Sequence, residues 1–341
     1  MGDNLMRIAV VGAGYWGTNL VRIFHQLGSL VRICDFSGDR LTRLADQYPS
    51  VRVESSYDAI LQDPAIDAVV IATPAECHYA MARQALAAGK DVYVEKPLTL
   101  HCEEAEALTN LAEERNRILM VGHLLEFHPA IVRLQELIDH GELGRLEYIY
   151  SNRLNMGKVR REENALWSFA PHDISVILLL IRQLPIQVTA TGGTYLQPNI
   201  ADVTVSTMLF DRGVRAHLFV SWLHPYKEQK LVVVGERRMA VFDDVLKTGK
   251  LQLYDKKIEL VNGQFVAEKP TARVIDFSPE EPLLLECRHF LECLRTRRTP
   301  KTDGHDGWRV LKVLEAAQRS LSMNGEPVQL EPIRSLEMVR S

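Results

Sequence analysis

Three glycines near the amino terminus have a spacing that suits phosphate binding. Gly12, Gly14 and Gly17 form a G-x-G-x-x-G string directly after the β-branched run Ile8–Val11 and directly before a helical pattern. The first glycine permits a tight turn, the second lets the backbone approach a pyrophosphate, and the third allows close strand–helix packing. The amino terminus of the following helix attracts negative charge. The spacing therefore predicts a dinucleotide-binding loop.

An acid follows this loop where a dinucleotide would present its adenosine ribose. Asp35 ends the next β-branched run, 18 residues beyond Gly17, and its carboxylate would hydrogen-bond the ribose hydroxyls. A carboxylate there would repel a 2′-phosphate, so NAD is favoured over NADP, although Arg40, five residues on, leaves the choice open. Tyr15 and Trp16, inside the glycine string, complete the predicted cofactor contacts. In the alternative interpretation the glycines only make a turn and Asp35 is a solvated loop residue.

The elements that would position these residues alternate along the first ~120 residues. Short β-branched runs are separated by helical patterns, which is typical of a parallel sheet covered by helices on both faces. The predicted strands are Ile8–Val11, Val31–Cys34, Val51–Val53, Ala68–Ala72, Asp91–Glu95 and Ile118–Val121. The pattern predicts an N-terminal Rossmann domain over residues 1–122.

The second part of the chain has a different texture. A helix is predicted from about Pro129 to Ile138, followed by longer strand-like runs joined by Gly and Asp turns, including a hairpin turn at 211–213. Those runs are Leu146–Asn152, Val203–Phe210, Val214–Ser221 and Leu231–Val234, and two amphipathic helices follow at Leu283–Thr296 and Trp308–Ser322. We expect an α+β domain with a mostly antiparallel sheet over residues 123–341, and a cleft between the domains for cofactor and substrate.

Composition excludes several classes of protein. With 341 residues, of which 46% are apolar, the chain is long enough for two cores. Its 40 basic and 44 acidic residues form no basic stripe, which argues against nucleic acid as a partner. The five cysteines lack paired C-x-x-C spacing, so neither a zinc site nor a disulfide framework is predicted, and no metal is expected. No run reaches the ~20 apolar residues of a membrane span, and a cytoplasmic protein is expected.

A 25-residue segment carries a resemblance to a known family. The string TPAECHYAMARQALAAGKDVYVEKP, from Thr73 to Pro97, resembles the signature of the glucose-fructose oxidoreductase, inositol dehydrogenase and MocA family. Two later segments, Val121–Ile131 and Pro300–Leu321, are similar to the crossover into the family's second domain and to its last helix. The resemblance implies a Rossmann domain with NAD and a second domain whose large open sheet often forms an oligomer interface, here a dimer or tetramer.

The same resemblance implies roles for individual residues. Thr73, Pro74 and His78 would line the nicotinamide and ribose end of the cofactor, and Glu95 would help to hold it. Lys96 matches the family's active-site lysine, and the peptide bond before the following proline is often cis in the family. His78 could equally be a structural, hydrogen-bonding histidine.

Oxidation of a secondary alcohol needs a base for the hydroxyl proton and a positive group beside the developing alkoxide. Lys96, at the carboxyl end of a predicted strand, could supply the positive group, and His172, which is predicted to open an apolar helix, is the candidate base. Asp173 would be a helix cap or a partner of the base. Many family members have an aspartate four residues before the histidine, whereas this chain has Ser168. The plain alternatives are a surface lysine and a capping histidine.

The segment before His172 is the candidate substrate site. Arginines can grip a diphosphate and an aromatic ring can stack on a sugar or base. The residues of this kind are Arg153, Asn155, Lys158, Arg160, Arg161 and Trp167. In the alternative interpretation they form a solvated loop balanced by Glu162 and Glu163.

Within the family, this segment and the glycine loop most resemble the bacterial sugar-nucleotide 3-dehydrogenases. That resemblance implies oxidation of the C3 hydroxyl of a UDP-N-acetylglucosamine-type substrate, in the synthesis of lipid A or surface-polysaccharide precursors. Two alternatives stay open. One is a dehydrogenase of a free polyol such as myo-inositol, which would not need the arginines, and the other is a non-catalytic NAD(H)-binding regulator. Retention of Lys96 and His172 argues against the regulator.

Overall fold

The computed structural model describes residues 6–331, and these form two compact units. The first unit takes residues 6–127 together with 280–311, and the second takes 128–279 together with 312–331. The division therefore differs from a single cut near residue 122, because the chain returns to the first unit after completing most of the second.

The first unit is the expected Rossmann domain. Its six strands are all parallel, in the order β3-β2-β1-β4-β5-β6. The elements are β1 (Ile8–Val11), α1 (Gly17–Gln26), β2 (Leu30–Cys34), α2 (Gly38–Gln47), β3 (Arg52–Glu54), α3 (Tyr57–Gln62), β4 (Ala68–Ile71), α4 (His78–Ala87), β5 (Asp91–Glu95), α5 (Cys102–Glu114) and β6 (Leu119–Gly122). Every residue of β1, β4, β5 and β6 is buried, as a parallel sheet covered on both faces requires.

A later helix explains why the chain returns to this unit. Helix α8 (Pro282–Thr296) places Phe290 in the same apolar core as Phe24 and Tyr93. The ring of Phe290 meets those two rings edge to face, at centroid distances of 6.4 and 5.7 Å. The sequence predicted an amphipathic helix here, and the buried apolar face of α8 belongs to the first unit's core.

The second unit contains a nine-stranded, mostly antiparallel sheet, which confirms the predicted fold class. The strand order is β16-β13-β12-β11-β7-β10-β9-β8-β17, and β7 with β10 is its parallel pair. The elements are α6 (Pro129–Asp139), β7 (Leu146–Met156), α7 (Ala165–Ile181), β8 (Gln187–Gly193), β9 (Val203–Leu209), β10 (Arg215–Ser221), β11 (Leu223–Gly235), β12 (Arg238–Asp243), β13 (Leu251–Asp255), β14 (Ile258–Val261), β15 (Gln264–Ala267), β16 (Ala272–Val274) and β17 (Val328–Gln329). Strands β14 and β15 form a separate hairpin, and α9 (Gly304–Ser322) contributes residues to both units.

Helix α7 begins earlier than the sequence predicted. The side chain of Asn164 accepts a hydrogen bond from the backbone N–H of Trp167, and this cap starts the helix at Ala165. The prediction that His172 opens the helix is therefore wrong, as is the prediction of Asp173 as a cap. Pro171 lies inside the helix, where it removes one backbone donor, and the Asn164 cap together with the buried apolar face of α7 outweighs that penalty.

Two expectations about chain class can be compared with the described residues. None of their helices is both long and apolar enough to cross a membrane. All five cysteines lie in the described part of the chain, and each is a free thiol. Four of them are buried.

Candidate active site

The glycine loop has the shape that a dinucleotide pyrophosphate needs. Gly12 has φ +87°, and a Cβ there would lie 2.7 Å from the carbonyl oxygen of Ala72. A Cβ on Gly17 would lie 1.8 Å from the carbonyl oxygen of Gly12, so strand and helix approach too closely for any side chain. A Cβ on Gly14 would meet nothing within 4 Å, which leaves open space against the backbone. The loop therefore fits the pyrophosphate of NAD at the amino terminus of α1.

Asp35 is hydrogen-bonded to the glycine loop, next to which the sequence predicted it. Its carboxylate accepts hydrogen bonds from the backbone N–H of Ala13 at 2.8 Å and of Ser37 at 2.9 Å. One guanidinium nitrogen of Arg40 lies 3.2 Å from both carboxylate oxygens. Asp35 and Arg40 thus lie together at the carboxyl end of β2, where the adenosine ribose is expected.

Glu95 connects the glycine loop to β5. The indole N–H of Trp16 donates to the Glu95 carboxylate at 2.5 Å, and the Tyr93 hydroxyl donates to the same oxygen at 3.3 Å. Burial raises the pKa of Glu95, while the hydrogen bond from Trp16 lowers it. A Cβ on Gly122 would lie 2.7 Å from the Tyr93 hydroxyl, so the glycine makes room for this network. Glu95 therefore fixes a residue of the cofactor loop.

The residues predicted for the nicotinamide end are close to one another. One ring nitrogen of His78 lies 2.9 Å from the carbonyl oxygen of Thr73, and the other lies 2.7 Å from the carbonyl oxygen of Pro97. His78 is buried, which lowers its pKa. Its contacts join the end of β4 to the chain after β5, whereas Pro74 is exposed. The bonds of His78 are those of the structural alternative that the sequence left open.

Lys96 follows β5 directly and is half-buried. Its backbone N–H donates to the Glu95 carboxylate at 3.3 Å. The Lys96–Pro97 peptide bond is cis, which confirms the expectation for this position. Lys96 thus lies at the carboxyl end of β5. The glycine loop follows the carboxyl end of β1, so both lie at the same end of the parallel strands.

The first unit also contains a buried charge cluster that the sequence analysis missed. His123 Nδ1 lies 2.9 Å from an Asp306 carboxylate oxygen and 3.8 Å from a Glu126 oxygen, and all three side chains are buried. Burial opposes the charge on His123, but the hydrogen bond that it donates to Asp306 and the nearby Glu126 carboxylate raise its pKa to about 9. Burial and the charge of Asp306 raise the pKa of Glu126 to about 7. The spacing His-x-x-Glu after β6 was a usable signal, but Asp306 lies far along the chain.

In the second unit, the surroundings of His172 are organised by an ion pair. His172 lies in the second turn of α7 and is half-buried. The next residue, Asp173, accepts two hydrogen bonds from Arg153, at 2.6 and 3.1 Å, and a third from the Ser151 hydroxyl at 2.7 Å. Arg153 was predicted as a substrate ligand. Two of its guanidinium nitrogens instead donate to Asp173, and this ion pair links β7 to α7.

The other predicted substrate residues lie at the end of β7, between β7 and α7, or in the first turn of α7. Arg160 pairs with Glu163 at 3.1 Å, and Arg161 is exposed. The Asn155 side-chain oxygen, in β7, is buried without a hydrogen-bond partner among the described residues. Arg160 and Arg161 are therefore at the surface, and the end of β7 holds one unsatisfied acceptor.

Trp167 is fixed by two residues that the sequence analysis did not identify. The Gln318 side-chain oxygen accepts from the Trp167 indole N–H at 3.1 Å and from the Asn164 amide at 2.8 Å. Gln318 comes from α9, more than 150 residues away in the chain. No local pattern around Trp167 could have revealed this anchor.

Comparison with known proteins agrees with this geometry. Residues 6–123 match the GFO/IDH/MocA oxidoreductase family with an NAD-binding Rossmann fold, and residues 131–241 match the GFO/IDH/MocA C-terminal domain. A UDP-N-acetylglucosamine 3-dehydrogenase of Acidithiobacillus ferrooxidans is 30% identical over 90% of this chain and 94% of its own. A scyllo-inositol 2-dehydrogenase (NAD(+)) of Bacillus subtilis is 28% identical over 98% of both chains.

A solved structure of the UDP-N-acetylglucosamine 3-dehydrogenase from A. ferrooxidans superposes with a TM-score of 0.83 at 28% identity, covering 93% of this chain and 98% of that one. The predicted family, fold class and cofactor are thereby confirmed. The chain belongs to the GFO/IDH/MocA oxidoreductase family and is an NAD-dependent dehydrogenase acting on a CH–OH group.

Proposed function

We propose that this dehydrogenase oxidises a secondary hydroxyl of a nucleotide-activated sugar, with the C3 hydroxyl of UDP-N-acetylglucosamine as the first candidate. The observation that carries the proposal is the segment from Asn155 to Trp167, which combines surface arginines with an indole held by Gln318. Guanidinium groups suit a diphosphate and a fixed aromatic ring suits a sugar or base. The 30% identity to a UDP-N-acetylglucosamine 3-dehydrogenase supports the same substrate class.

The proposed chemistry assigns separate tasks to two side chains. The Lys96 ammonium donates a hydrogen bond to the substrate oxygen and stabilises negative charge on it as the proton leaves. His172 accepts that hydroxyl proton. NAD, when bound, would supply the acceptor for the hydride of the carbinol carbon. Asp173 stays with Arg153 and Ser151, so its role is to fix the second turn of α7 and thereby the backbone of His172.

Cofactor binding is assigned to the residues already described around the glycine loop. Gly12, Gly14 and Gly17 would take the pyrophosphate, and the pair of Asp35 and Arg40 would meet the adenosine ribose. Around them, Tyr15 and Trp16 would contact the cofactor from the loop, while Thr73, Pro74 and Glu95 would support its nicotinamide end. The resulting 3-keto sugar would suit an aminotransferase of lipid A or surface-polysaccharide precursor synthesis.

A second candidate function is the oxidation of a free polyol. The specific observation in its favour is the 28% identity, over 98% of the chain, to a scyllo-inositol 2-dehydrogenase. A free polyol carries no diphosphate, so this function gives Arg160 and Arg161 no task. Substrate choice between the two candidates is therefore a question about the arginine segment.

The deciding experiment is absorbance at 340 nm after mixing the protein with NAD and one compound per well. The compounds are UDP-N-acetylglucosamine, UDP-N-acetylglucosaminuronate, UDP-glucose and myo-inositol, each with and without a ketone-trapping aminotransferase system. A rise with a UDP-sugar alone supports the proposal and selects the sugar. A rise with myo-inositol alone selects the polyol function, and silence in all wells despite calorimetric NAD binding contradicts both.

We also propose that the second unit assembles with another copy through its sheet. Along β7, β9 and β10, buried residues alternate with more exposed ones, and the exposed ones include the apolar Tyr148 and Val205, which are 41% and 44% exposed. Phe219 is paired with Val205 in register, so these two apolar side chains are neighbours on this face, which also carries the polar His217. A face of this kind is typical of an interface between copies. Sedimentation equilibrium of the protein and of Phe219→Glu tests it, and a monomer in both samples contradicts it.

A further inference from the structure

The carboxylate that would select NAD is already neutralised within the first unit. The Asp35 side chain is only 1% exposed. Its two oxygens accept hydrogen bonds from the backbone N–H groups of Ala13 and Ser37 and contact one Arg40 nitrogen, at 2.8–3.2 Å. The Arg40 nitrogen lies 3.2 Å from both oxygens and so offsets the negative charge of this carboxylate. The end of β2 therefore presents an ion pair rather than a bare negative charge.

Arg40 presents the rest of its guanidinium group outward. Its side chain is 39% exposed, and the guanidinium carbon lies 5.6 Å from the ring centroid of Phe36. Phe36 is itself 85% exposed. Within residues 6–331, Arg40 makes side-chain hydrogen bonds through one guanidinium nitrogen only, which leaves the N–H groups of the other two nitrogens for a ligand. A planar, charged fork in this position suits a phosphate monoester.

The start of α2 favours an anion at the same place. Ser37 precedes the helix, and its hydroxyl makes no capping hydrogen bond there. The backbone N–H groups of the first two residues of α2 and the Ser37 hydroxyl are therefore available beside Arg40, whose own backbone N–H is bonded to the Ser37 carbonyl oxygen. Asp39, the acid in the first turn, opposes an anion, which makes the Arg40 charge the deciding group.

We propose that Arg40 allows this dehydrogenase to bind NADP(H) as well as NAD(H). In NADP(H) the 2′-phosphate replaces the ribose hydroxyl that a free aspartate would accept from, and a lone carboxylate would repel it. Here the Arg40 nitrogen already bound to Asp35 cancels that repulsion, and the outward N–H groups of the same guanidinium bind the phosphate. Arg40 is thus a specificity-determining residue for the dinucleotide.

Calorimetric titration of the full chain with NADH and with NADPH tests the proposal, because it needs no sugar substrate. We expect dissociation constants within about tenfold of each other for the unmodified protein. Arg40→Ala should weaken NADPH binding by about 10- to 100-fold more than it weakens NADH binding, as expected for lost charge-assisted hydrogen bonds to the 2′-phosphate. Arg43→Ala is the matched control, because it removes one positive charge from the same helix and Arg43 does not contact Asp35.

Three results would overturn the proposal. The first is NADPH binding more than about tenfold weaker than NADH binding in the unmodified protein. The second is an equal change for both dinucleotides in Arg40→Ala, and the third is the same selective loss in Arg43→Ala. If Arg40→Ala does not fold, Arg40→Gln decides: it keeps a polar side chain but loses the charge, so a selective loss of NADPH affinity supports the proposal and an unchanged ratio overturns it. Failure here would leave the proposed sugar-nucleotide activity untouched.

Discussion

The two units hold their candidate site residues in different ways. In the first unit the cofactor residues are bonded to one another: Asp35 to the glycine loop, Trp16 to Glu95, and His78 to the ends of two neighbouring strands. In the second unit the proposed substrate residues are bonded to side chains that have no proposed contact with the substrate. Arg153 is bonded to Asp173 and Trp167 to Gln318.

This difference has a physical reason. A dinucleotide presents the same pyrophosphate and ribose groups to every protein that binds it, so the loop can be built in advance from backbone N–H groups and short motifs. A substrate site must instead distinguish related compounds, and its side chains are aimed by packing against the rest of the unit. Breaking a residue in the first unit should therefore affect binding or chemistry selectively, whereas breaking one in the second should also affect local stability.

The largest expected effect is on catalysis. Lys96→Met removes the ammonium that stabilises the alkoxide while keeping much of the side-chain volume. We expect turnover to fall about 10³- to 10⁴-fold, in the range for loss of a general acid–base or oxyanion-stabilising group. The affinity for NADH should stay within about threefold, because the predicted cofactor loop is unchanged. Stopped-flow absorbance at 340 nm and calorimetry measure the two quantities, and unchanged turnover would remove Lys96 from the mechanism.

Most of the first unit could be predicted from the sequence because it is built from short local motifs. The same locality is why we expect Lys96→Met to act selectively. Its strands are continuous apolar runs, and its loop is defined by three glycines whose missing side chains the structure explains at two positions. Lys96 was found because it directly follows a strand within a specific motif. By contrast, the cluster of His123, Glu126 and Asp306 could not be assembled from the sequence, because its members are joined across more than 180 residues.

The second prediction tests whether the ion pair beside His172 is structural. Asp173→Ala would leave Arg153 charged and largely buried without its partner, since the two side chains are 13% and 6% exposed. We expect the free energy of unfolding of the second unit to fall by about 3–5 kcal/mol. Urea unfolding and hydrogen exchange of peptides from β7 and α7 measure the change.

The control for this variant is a surface pair from the same segment. Arg160→Ala breaks the pair with Glu163, whose side chains are 43% and 27% exposed, and should change stability by no more than about 1 kcal/mol. Equal losses in the two variants would contradict the structural role of Asp173.

The register of α7 shows why the second unit was harder to predict. A proline at 171 followed by a histidine and an acid is typical of a helix start, yet the helix begins at Ala165 behind the Asn164 cap. Tertiary packing decided the outcome, because all but a few residues of α7 are buried against the sheet. Likewise, Arg153 was predicted from its charge, and its partner became visible only when β7 and α7 were packed together.

The third prediction returns to the first unit and concerns pH. The folded state raises the pKa of His123 to about 9, whereas the unfolded chain has its ordinary value near 6.5. The folded state therefore keeps a proton that the unfolded chain has lost, and this stabilisation is complete below pH 6.5 and disappears as the pH rises through about 9. The pKa of Glu126 is also raised, to about 7. This carboxyl therefore keeps its proton to higher pH in the folded state, and its contribution to stability also falls as the pH rises from its ordinary pKa to about 7.

We expect the free energy of unfolding to fall by about 2 kcal/mol between pH 6.5 and pH 9. Urea unfolding at a series of pH values measures this, with Glu113→Gln as a control for an exposed acid paired with His305. The slope should flatten in His123→Gln and persist in Glu113→Gln. A slope that persists in His123→Gln would assign the titration to another group.

The smallest expected effect is the most informative about the second unit. It distinguishes a residue that orients a substrate-binding side chain from one that only stabilises the fold. Gln318→Leu removes the oxygen that fixes the Trp167 indole and the Asn164 amide but keeps the side-chain size. If Trp167 stacks on the substrate, KM for the sugar nucleotide should rise about fivefold, equivalent to about 1 kcal/mol, with kcat unchanged. Gln329→Leu, at an exposed glutamine of β17, is the matched control and should leave both constants unchanged. A loss of thermal stability with no change in KM would show that Gln318 stabilises α7 and does not orient Trp167 for the substrate. The substrate residues of the second unit would then have to be sought among the surface arginines alone.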